Sequence, residues 1–287
     1  MTTSIILPTC DRESLLKRAL QSVFAQSAAD WELIVVNDGT RELSEEFRHI
    51  NDSRVRWLRT SGRLGVSAAR NAGIAASSGE WLAFLDDDDE LLPDFLARML
   101  PFAREHGLDL AWCGTRLGER GPDRLWDVSS EKSDSLRFIV QIAASCGLMI
   151  RRAVVDAHGG FDTGLRTSED RELLFRLVAA GCRYAALPEA LVRVHDHEGP
   201  RLSNVRHDPA RAIASGRDDE LLLQRYAPLL SRDPVLLRDY YYALAGKFFH
   251  GRNPDGFWRV YRSLPLRWRL NRKLLLRALR MWMLRPR

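Results

Sequence analysis

The first half of this 287-residue chain is dominated by short apolar runs that each break off into polar residues, with amphipathic segments between them. Ser4 to Leu7, Glu32 to Val36, Val55 to Leu58 and Trp81 to Leu85 have the length and content of buried strands. Between them, Glu13 to Gln26 carries Leu15, Leu16, Ala19, Leu20 and Val23 at helical spacing, and Val66 to Ala76 forms a second helical segment. Strands alternating with helices predict an α/β fold, a mostly parallel sheet with helices on both faces. In such a sheet ligands bind beyond the carboxyl ends of the strands. Thr9 to Asp11, Asn37-Asp38-Gly39 and Asp86-Asp87-Asp88-Asp89 are therefore expected to converge on one edge.

Further along, Leu110 to Gly114 is apolar, and Thr115 to Ser133 is a polar stretch without clear periodicity, read as a mobile or acceptor-shaping loop. Asp170 to Ala180 reads as a helix, and Leu191 to Val194 as a strand ending at His195. From Asp208 the pattern is helical to the end, punctuated by Pro209, Pro234, Pro254 and Pro265. The expected organisation is an α/β domain over 1–207 and a helical extension over 208–287.

Charge and cysteine content exclude several classes. Arg267 to Arg287 holds eight of the 43 Lys/Arg and no acid, which leaves 35 bases against 38 acids upstream. With no basic stripe interleaved with aromatics in the body, nucleic acid is not expected as a partner. Cys10, Cys113, Cys146 and Cys182 show neither CxxC pairs nor disulfide-framework spacing, which fits a reducing, cytoplasmic setting. The N-terminus lacks a signal-peptide pattern, and no run reaches the roughly 18 apolar residues of a membrane span. In the basic tail, Trp268, Leu270, Leu274, Leu275, Met281 and Trp282 alternate with Arg269, Arg272, Lys273, Arg277 and Arg280. That composition suits an interfacial helix on an anionic membrane surface, peripheral to the inner face of the cell membrane, or packing within the chain or in a homo-oligomer.

Four consecutive aspartates after an apolar strand are the sharpest chemical signal. Carboxylates are hard oxygen ligands for Mg²⁺ or Mn²⁺, and a cation there would neutralise a diphosphate. A solvated acidic turn ahead of the helix near Pro93 and Asp94 is the structural alternative. Asp38 sits in Asn-Asp-Gly, which is also a turn sequence, yet with Thr9 and Asp11 it could supply acceptors for a nucleobase or ribose. Arg70 lies on a helix that would cover the sheet, where a surface ion pair is equally open. Glu169-Asp170 opens a helix, a position that favours acids through the dipole alone. His195 is the best metal-ligand candidate among the histidines, with Asp196 and His197 as competing assignments.

Taken together, Pro8-Thr9 with Asp11, Asn37-Asp38-Gly39, Ala69-Arg70-Asn71-Ala72-Gly73, Gly79-Glu80 running into Phe84 to Asp89, and Glu169-Asp170 resemble family 2 glycosyltransferases over about residues 3 to 200. The resemblance implies the GT-A (Rossmann-like) fold and an inverting transfer of a sugar from a nucleoside-diphosphate donor, most often UDP, to a hydroxyl acceptor. A glycan, a lipid-linked species or a small molecule would serve as acceptor, in cell-envelope polysaccharide or glycan assembly. It further implies that Pro8, Thr9, Asp11 and Asp38 hold the nucleoside, with Arg70, Asp86 and Asp87 near the diphosphate. Asp88 and Asp86 would bind Mn²⁺ or Mg²⁺, His195 would complete the metal or diphosphate site, and Asp170 would be the catalytic base. The tetrad leaves the register of the metal ligands open. A sugar nucleotidyltransferase is a competing reading, but it would call for a Gly-rich basic loop that Leu7-Pro-Thr-Cys-Asp-Arg does not provide. A non-catalytic sugar- or protein-binding module is the other.

Overall fold

The computed structural model describes residues 3–44, 47, 50–119, 121–132, 135–142, 146–195 and 208–283; Ser133, Asp196 and His197 lie outside them. The chain divides into two compact units, one spanning 1–163 and 169–198, the other 164–168 and 199–287.

The first unit carries the sheet. Its strands are β1 (Thr3–Thr9), β2 (Trp31–Asn37), β3 (Val55–Arg59), β4 (Trp81–Phe84), β5 (Asp89–Leu91), β6 (Leu110–Leu117), β7 (Asp123–Arg124), β8 (Met149–Arg151) and β9 (Tyr184–Val194). The order is β3-β2-β1-β4-β8-β6-β9-β5, with β7 paired to β6. The first four strands in that order are parallel. Beyond them the sheet is mixed: β8 is antiparallel to β4 and β6, β6 and β9 are parallel, and β5 is antiparallel to β9. The mostly parallel arrangement expected from the sequence thus stops at β4. The reversal rests on β8, whose three residues are too few to show a period.

Helices α1 (Glu13–Phe24), α2 (Val66–Ala76), α3 (Phe95–Glu105), α4 (Ser135–Ile142), α5 (Arg152–His158) and α6 (Glu169–Ala179) surround this sheet. Period-two alternation divides β1 between two cores. Ile5 and Leu7 join Leu16, Leu20 and Val23 of α1 and Phe95 and Met99 of α3. Ile6 instead joins Leu82 and Phe84 of β4 and Leu173, Leu174 and Leu177 of α6. Helix α2 lies so close to the sheet that a Cβ at Gly73 would fall 2.5 Å from Ile6 Cγ2, so only glycine fits there. Part of the polar stretch after Thr115 is ordered: β6 continues to Leu117, β7 returns beside it, and Arg116 pairs with Asp123 at 2.7 Å. Its order comes from cross-strand partners, which local periodicity does not report.

The second unit is helical: α7 (Pro209–Arg225), α8 (Ala227–Leu230), α9 (Pro234–His250), α10 (Pro254–Ser263), α11 (Leu266–Arg269) and α12 (Arg272–Met283). Three of these open on the same chemistry, an Asp or Asn cap followed by proline. Asp208 accepts from the Arg211 N–H (3.0 Å), Asp233 from Val235 (2.9 Å) and Leu236 (3.1 Å), and Asn253 from Gly256 (2.8 Å). The cap satisfies an orphan donor, and proline gives up an N–H the helix would not have used. Phe248, Phe257, Val260, Leu264, Leu274 and Met281 form the core of this unit. Asp218 of α7 holds segment 164–168 by accepting from the Thr167 N–H at 2.8 Å, and Asp219 accepts from Ser168 Oγ at 2.9 Å. Among the described residues no helix is long and apolar enough to cross a membrane.

Candidate active site at the carboxyl edge of the sheet

Strand pairing fixes the edge. Thr9 lies opposite Asn37 in the β1–β2 register, and the Asp38 N–H donates to the Thr9 carbonyl at 2.8 Å. Leu85 N–H donates to the Ile6 carbonyl, so the aspartates that follow emerge beside the end of β1. Pro8 is buried within β1 opposite Val36. The residues expected to converge do so in three linked clusters.

The first cluster shapes a loop wall. Asp38 is buried, and its carboxylate accepts from the Leu64 N–H (3.0 Å), the Gly65 N–H (2.8 Å) and Thr60 Oγ1. Gly65 has φ +98° and opens α2, so Asp38 fixes the approach to that helix. Asp11, at φ 55°, accepts from the Arg41 N–H at 3.2 Å and from Arg63 Nη2 at 2.8 Å. The Arg41 N–H bond, though opposed by partial desolvation, together with the Arg63 charge holds its carboxyl below the usual range.

The second cluster is the aspartate turn, which alternates in burial. Asp86 and Asp88 keep 31 % and 17 % of their side-chain surface exposed, whereas Asp87 and Asp89 are buried. Asp87, expected at the donor, is instead spent internally: its Oδ2 accepts from Thr9 Oγ1 at 2.7 Å and its Oδ1 pairs with Arg12 at 2.5 Å. Burial pushes Asp87 up to about 6 despite Arg12 and Thr9. Asp89 begins β5 and is pushed up to about 8, by burial first and then by the charges of Asp86 and Asp88. Ligand oxygens of Asp86, Asp88 and Asp89 all lie within 4.8 Å of one another. An all-carboxylate set of this kind fits a hard divalent cation such as Mg²⁺ or Mn²⁺.

The third cluster centres on Arg70, 3 % exposed and reached from α2. Its Nη2 donates to Asp86 Oδ1 (2.8 Å), and its Nη1 to Glu169 Oε1 (3.1 Å) and Asp170 Oδ1 (3.2 Å) at the start of α6. The guanidinium lies 5.0 Å from the Phe161 ring centroid. Desolvation opposes its charge, but the three carboxylates outweigh it and keep the guanidinium firmly protonated. Burial, then the charge of Asp170, pushes Glu169 up, and Arg70 opposes both. The surface ion pair left open for Arg70 is thus a buried one.

His195 ends β9 beside the turn without joining the three converging aspartates. Its Nε2 lies 2.6 Å from Glu90 Oε1, and its N–H donates to Asp89 Oδ1 at 3.2 Å. Glu90 also receives Arg18 and Arg193, each at 3.3 Å, and Arg18 Nη2 donates to the Asp88 carbonyl at 2.7 Å. Arg12, Arg18 and Glu90 were not among the expected site residues, and Glu169 was singled out only as the neighbour of Asp170 in the Glu-Asp pair. The signal that could have found the arginines is the tetrad itself, since four adjacent carboxylates demand nearby cations.

The family model described as Glycosyl transferase family 2 matches residues 4–159, which contain both β1 and the aspartate turn. The succinoglycan biosynthesis protein ExoO of Rhizobium meliloti is 32 % identical over 73 % of this chain and 64 % of its own length. The GalNAc(5)-diNAcBac-PP-undecaprenol beta-1,3-glucosyltransferase of Campylobacter jejuni is 34 % identical over 36 % of this chain and 34 % of its own. The chain thus spans less than two thirds of either relative. Among solved structures, S. aureus TarS 1-349 with UDP-GlcNAc superposes with a TM-score of 0.66 at 17 % identity, covering 98 % of this chain and 89 % of that one. The mannosyltransferase PcManGT of Pyrobaculum calidifontis, in complex with GDP-Man and Mn²⁺, superposes with a TM-score of 0.61 at 14 % identity, covering 99 % and 84 %. These likenesses establish the GT-A fold. Since the family match spans more than half of the residues and takes in the ends of β1, β2 and β4, the chain belongs to glycosyl transferase family 2.

Proposed function

We propose that this protein is a metal-dependent inverting glycosyltransferase that moves a sugar from a nucleoside-diphosphate donor to a hydroxyl acceptor. The observation that carries the reading is the bridge from Arg70 to both Asp86 and Asp170, which sets a cation-binding turn beside a second, partly exposed carboxylate. Two groups held apart by one fixed guanidinium suit a reaction that needs leaving-group stabilisation at one atom and a base at another. TarS with UDP or UDP-GlcNAc supports a UDP-sugar as the first donor to test. The Campylobacter relative, named for glucosyl transfer on an undecaprenol-linked acceptor, supports a glycan or lipid-linked acceptor in polysaccharide assembly.

In this reading Asp86, Asp88 and Asp89 hold Mn²⁺ or Mg²⁺, whose bound charge would offset that on the departing diphosphate. Pro8, Thr9, Asp11 and Asp38 border the nucleoside, Asp38 by fixing the loop at Leu64 and Gly65. Asp87 acts behind them, tying β1 to the turn through Thr9 and Arg12, and His195 steadies the turn through Glu90. Asp170 accepts the acceptor's hydroxyl proton as that oxygen bonds to the anomeric carbon, and the carbon–oxygen bond to the diphosphate breaks with its electron pair on the leaving oxygen. No covalent glycosyl-enzyme forms, so configuration inverts.

The test is a donor screen by thermal shift with and without Mn²⁺, followed by UDP release from the donor that stabilises most. A ligand at 100 times its Kd adds about 2.7 kcal/mol of stability. A Mn²⁺-dependent shift that Asp88→Ala abolishes is the expected result. A wild-type-like shift in that variant overturns the metal assignment, and Mn²⁺-dependent binding without any turnover favours a binding module.

A further inference from the structure

Helix α12 presents two apolar arcs. Leu274, Ala278 and Met281 are buried against the core of the helical unit and account for its internal packing. Leu275, Leu276, Leu279, Trp282 and Met283 are exposed, between 41 % and 64 %. At 3.6 residues per turn these five fall on one stripe, at i, i+1, i+4, i+7 and i+8, distinct from the buried one. Five large apolar side chains on one exposed stripe exceed the scattered singles normal for a soluble surface.

The charges around this stripe identify its occupant. Arg272, Lys273 and Arg280 are exposed on the same helix, and no acid occurs from Arg267 onward. A second copy docking through the same face would set these cations against their own kind, a like-charge contact that costs several kcal/mol. An apolar stripe bordered on its helix by Lys273 and Arg280, and preceded on its own face by Arg272 one turn earlier, matches a surface that is anionic outside and hydrocarbon inside.

We propose that α12 lies in the interface of an anionic lipid bilayer, with Leu276, Leu279 and Trp282 entering the acyl boundary and Arg272, Lys273 and Arg280 meeting lipid headgroups. Burial of the apolar stripe supplies the insertion energy, and headgroup charge supplies the attraction. The two terms make separate predictions, because only the second is screened by salt.

The experiment uses the full chain and sedimentation with vesicles of pure phosphatidylcholine, or of phosphatidylcholine with about one third phosphatidylglycerol. Anionic vesicles are expected to bind at least tenfold more tightly, with the advantage shrinking at high salt. Each basic residue near the surface is worth about fivefold in affinity, so Arg272→Gln/Lys273→Gln/Arg280→Gln is expected to lose at least tenfold. Leu276→Ser/Leu279→Ser/Trp282→Ser removes only exposed groups, and it is expected to lose binding with its helical circular dichroism intact. Equal binding of wild type and both triple variants overturns the proposal, as does failure of the wild type to prefer anionic vesicles. A concentration-dependent dimer that only the apolar triple variant abolishes also overturns it, by assigning the stripe to a second copy.

Discussion

Arg70 Nη2 donates to Asp86 Oδ1 across 2.8 Å, joining a helix packed on the sheet to the first acid after β4. The same guanidinium reaches Glu169 and Asp170, so one buried cation balances three carboxylates drawn from two other segments. Its removal leaves Glu169, 7 % exposed, beside the like charge of Asp170 with no cation to offset it from α2. Arg70→Ala is expected to cost about 3–5 kcal/mol and to lower the melting temperature by roughly 10 °C. Arg70→Lys keeps the charge but not the planar fork, so it should recover part of the stability while donor turnover stays low. Calorimetry of both variants checks this, and a melting temperature unchanged in Arg70→Ala would show the cluster to be energetically idle.

Glu32 performs a purely structural task in the first unit. It accepts from Ser4 Oγ (2.6 Å), Ser78 Oγ (2.8 Å) and the Gly79 N–H (3.1 Å), and pairs with Arg56 at 2.8 Å. Burial alone would raise its pKa, but these donors outweigh burial and bring it down to about 2. Its folded pKa lies below its unfolded one. The stability it contributes is therefore full above about 4.5 and lost as pH falls towards about 2. Glu32→Gln should cost about 1–2 kcal/mol at pH 7, with the gap to wild type closing across that acid window. Urea midpoints from pH 6 to 2.5 test the sign, since a gap independent of pH would mean that the ionised form is not the one being held.

The helical unit has its own ion pair, the buried Asp219 with the half-buried Lys247 at 2.5 Å, and Asp219 is 2 % exposed. Asp219→Ala removes this partner from Lys247 and frees Ser168, whose φ of 63° is already left-handed. A loss of about 3 kcal/mol is expected. Asp219→Leu combined with Lys247→Met removes both charges, and most of that loss should return, because replacing a buried pair whole avoids the stranded ion. Denaturant unfolding of the single and double variants decides the matter; a double variant no better than the single one would place the stability in the Ser168 bond instead.

Legibility in the sequence followed the range of the interactions. β1, α1, β2, α2 and β4 emerge within a few residues of their observed limits because strands buried on both faces read as unbroken apolar runs and the helices between them carry an amphipathic period. β5 and β8 did not, since three-residue strands owe their existence to partners such as Val192 and Leu82 that are distant in sequence. The same limit applies to the site. The aspartate turn and the head of α6 stand out as motifs, yet which aspartates face outward depends on Thr9 and Arg12, 78 and 76 residues away from the groups they bind. Arg70 was legible as a position and not as a hub, because its three carboxylates meet only after folding.

Glu169 and Asp170 are adjacent acids at one helix terminus, and Arg70 touches both, so the two must be separated by chemistry. Asp170 keeps 20 % of its side chain exposed and Glu169 only 9 %. Burial, reinforced by the charge of Asp170, raises the Glu169 pKa, which strengthens it as a base when ionised, so access and not basicity is what separates the two acids. The more exposed Asp170 is therefore the acid proposed to meet the incoming hydroxyl. Asp170→Asn keeps the side-chain shape and one acceptor oxygen but cannot take up the proton. Turnover should fall about 10²- to 10⁴-fold, with donor affinity and melting temperature little changed. Glu169→Gln should lower turnover less than tenfold while leaving the Arg70 contact as a neutral hydrogen bond. Steady-state kinetics and donor titrations on both variants decide between them. A large loss in Glu169→Gln with near wild-type rates in Asp170→Asn would exchange the two roles, and loss of donor binding in Asp170→Asn would make that acid part of the donor site.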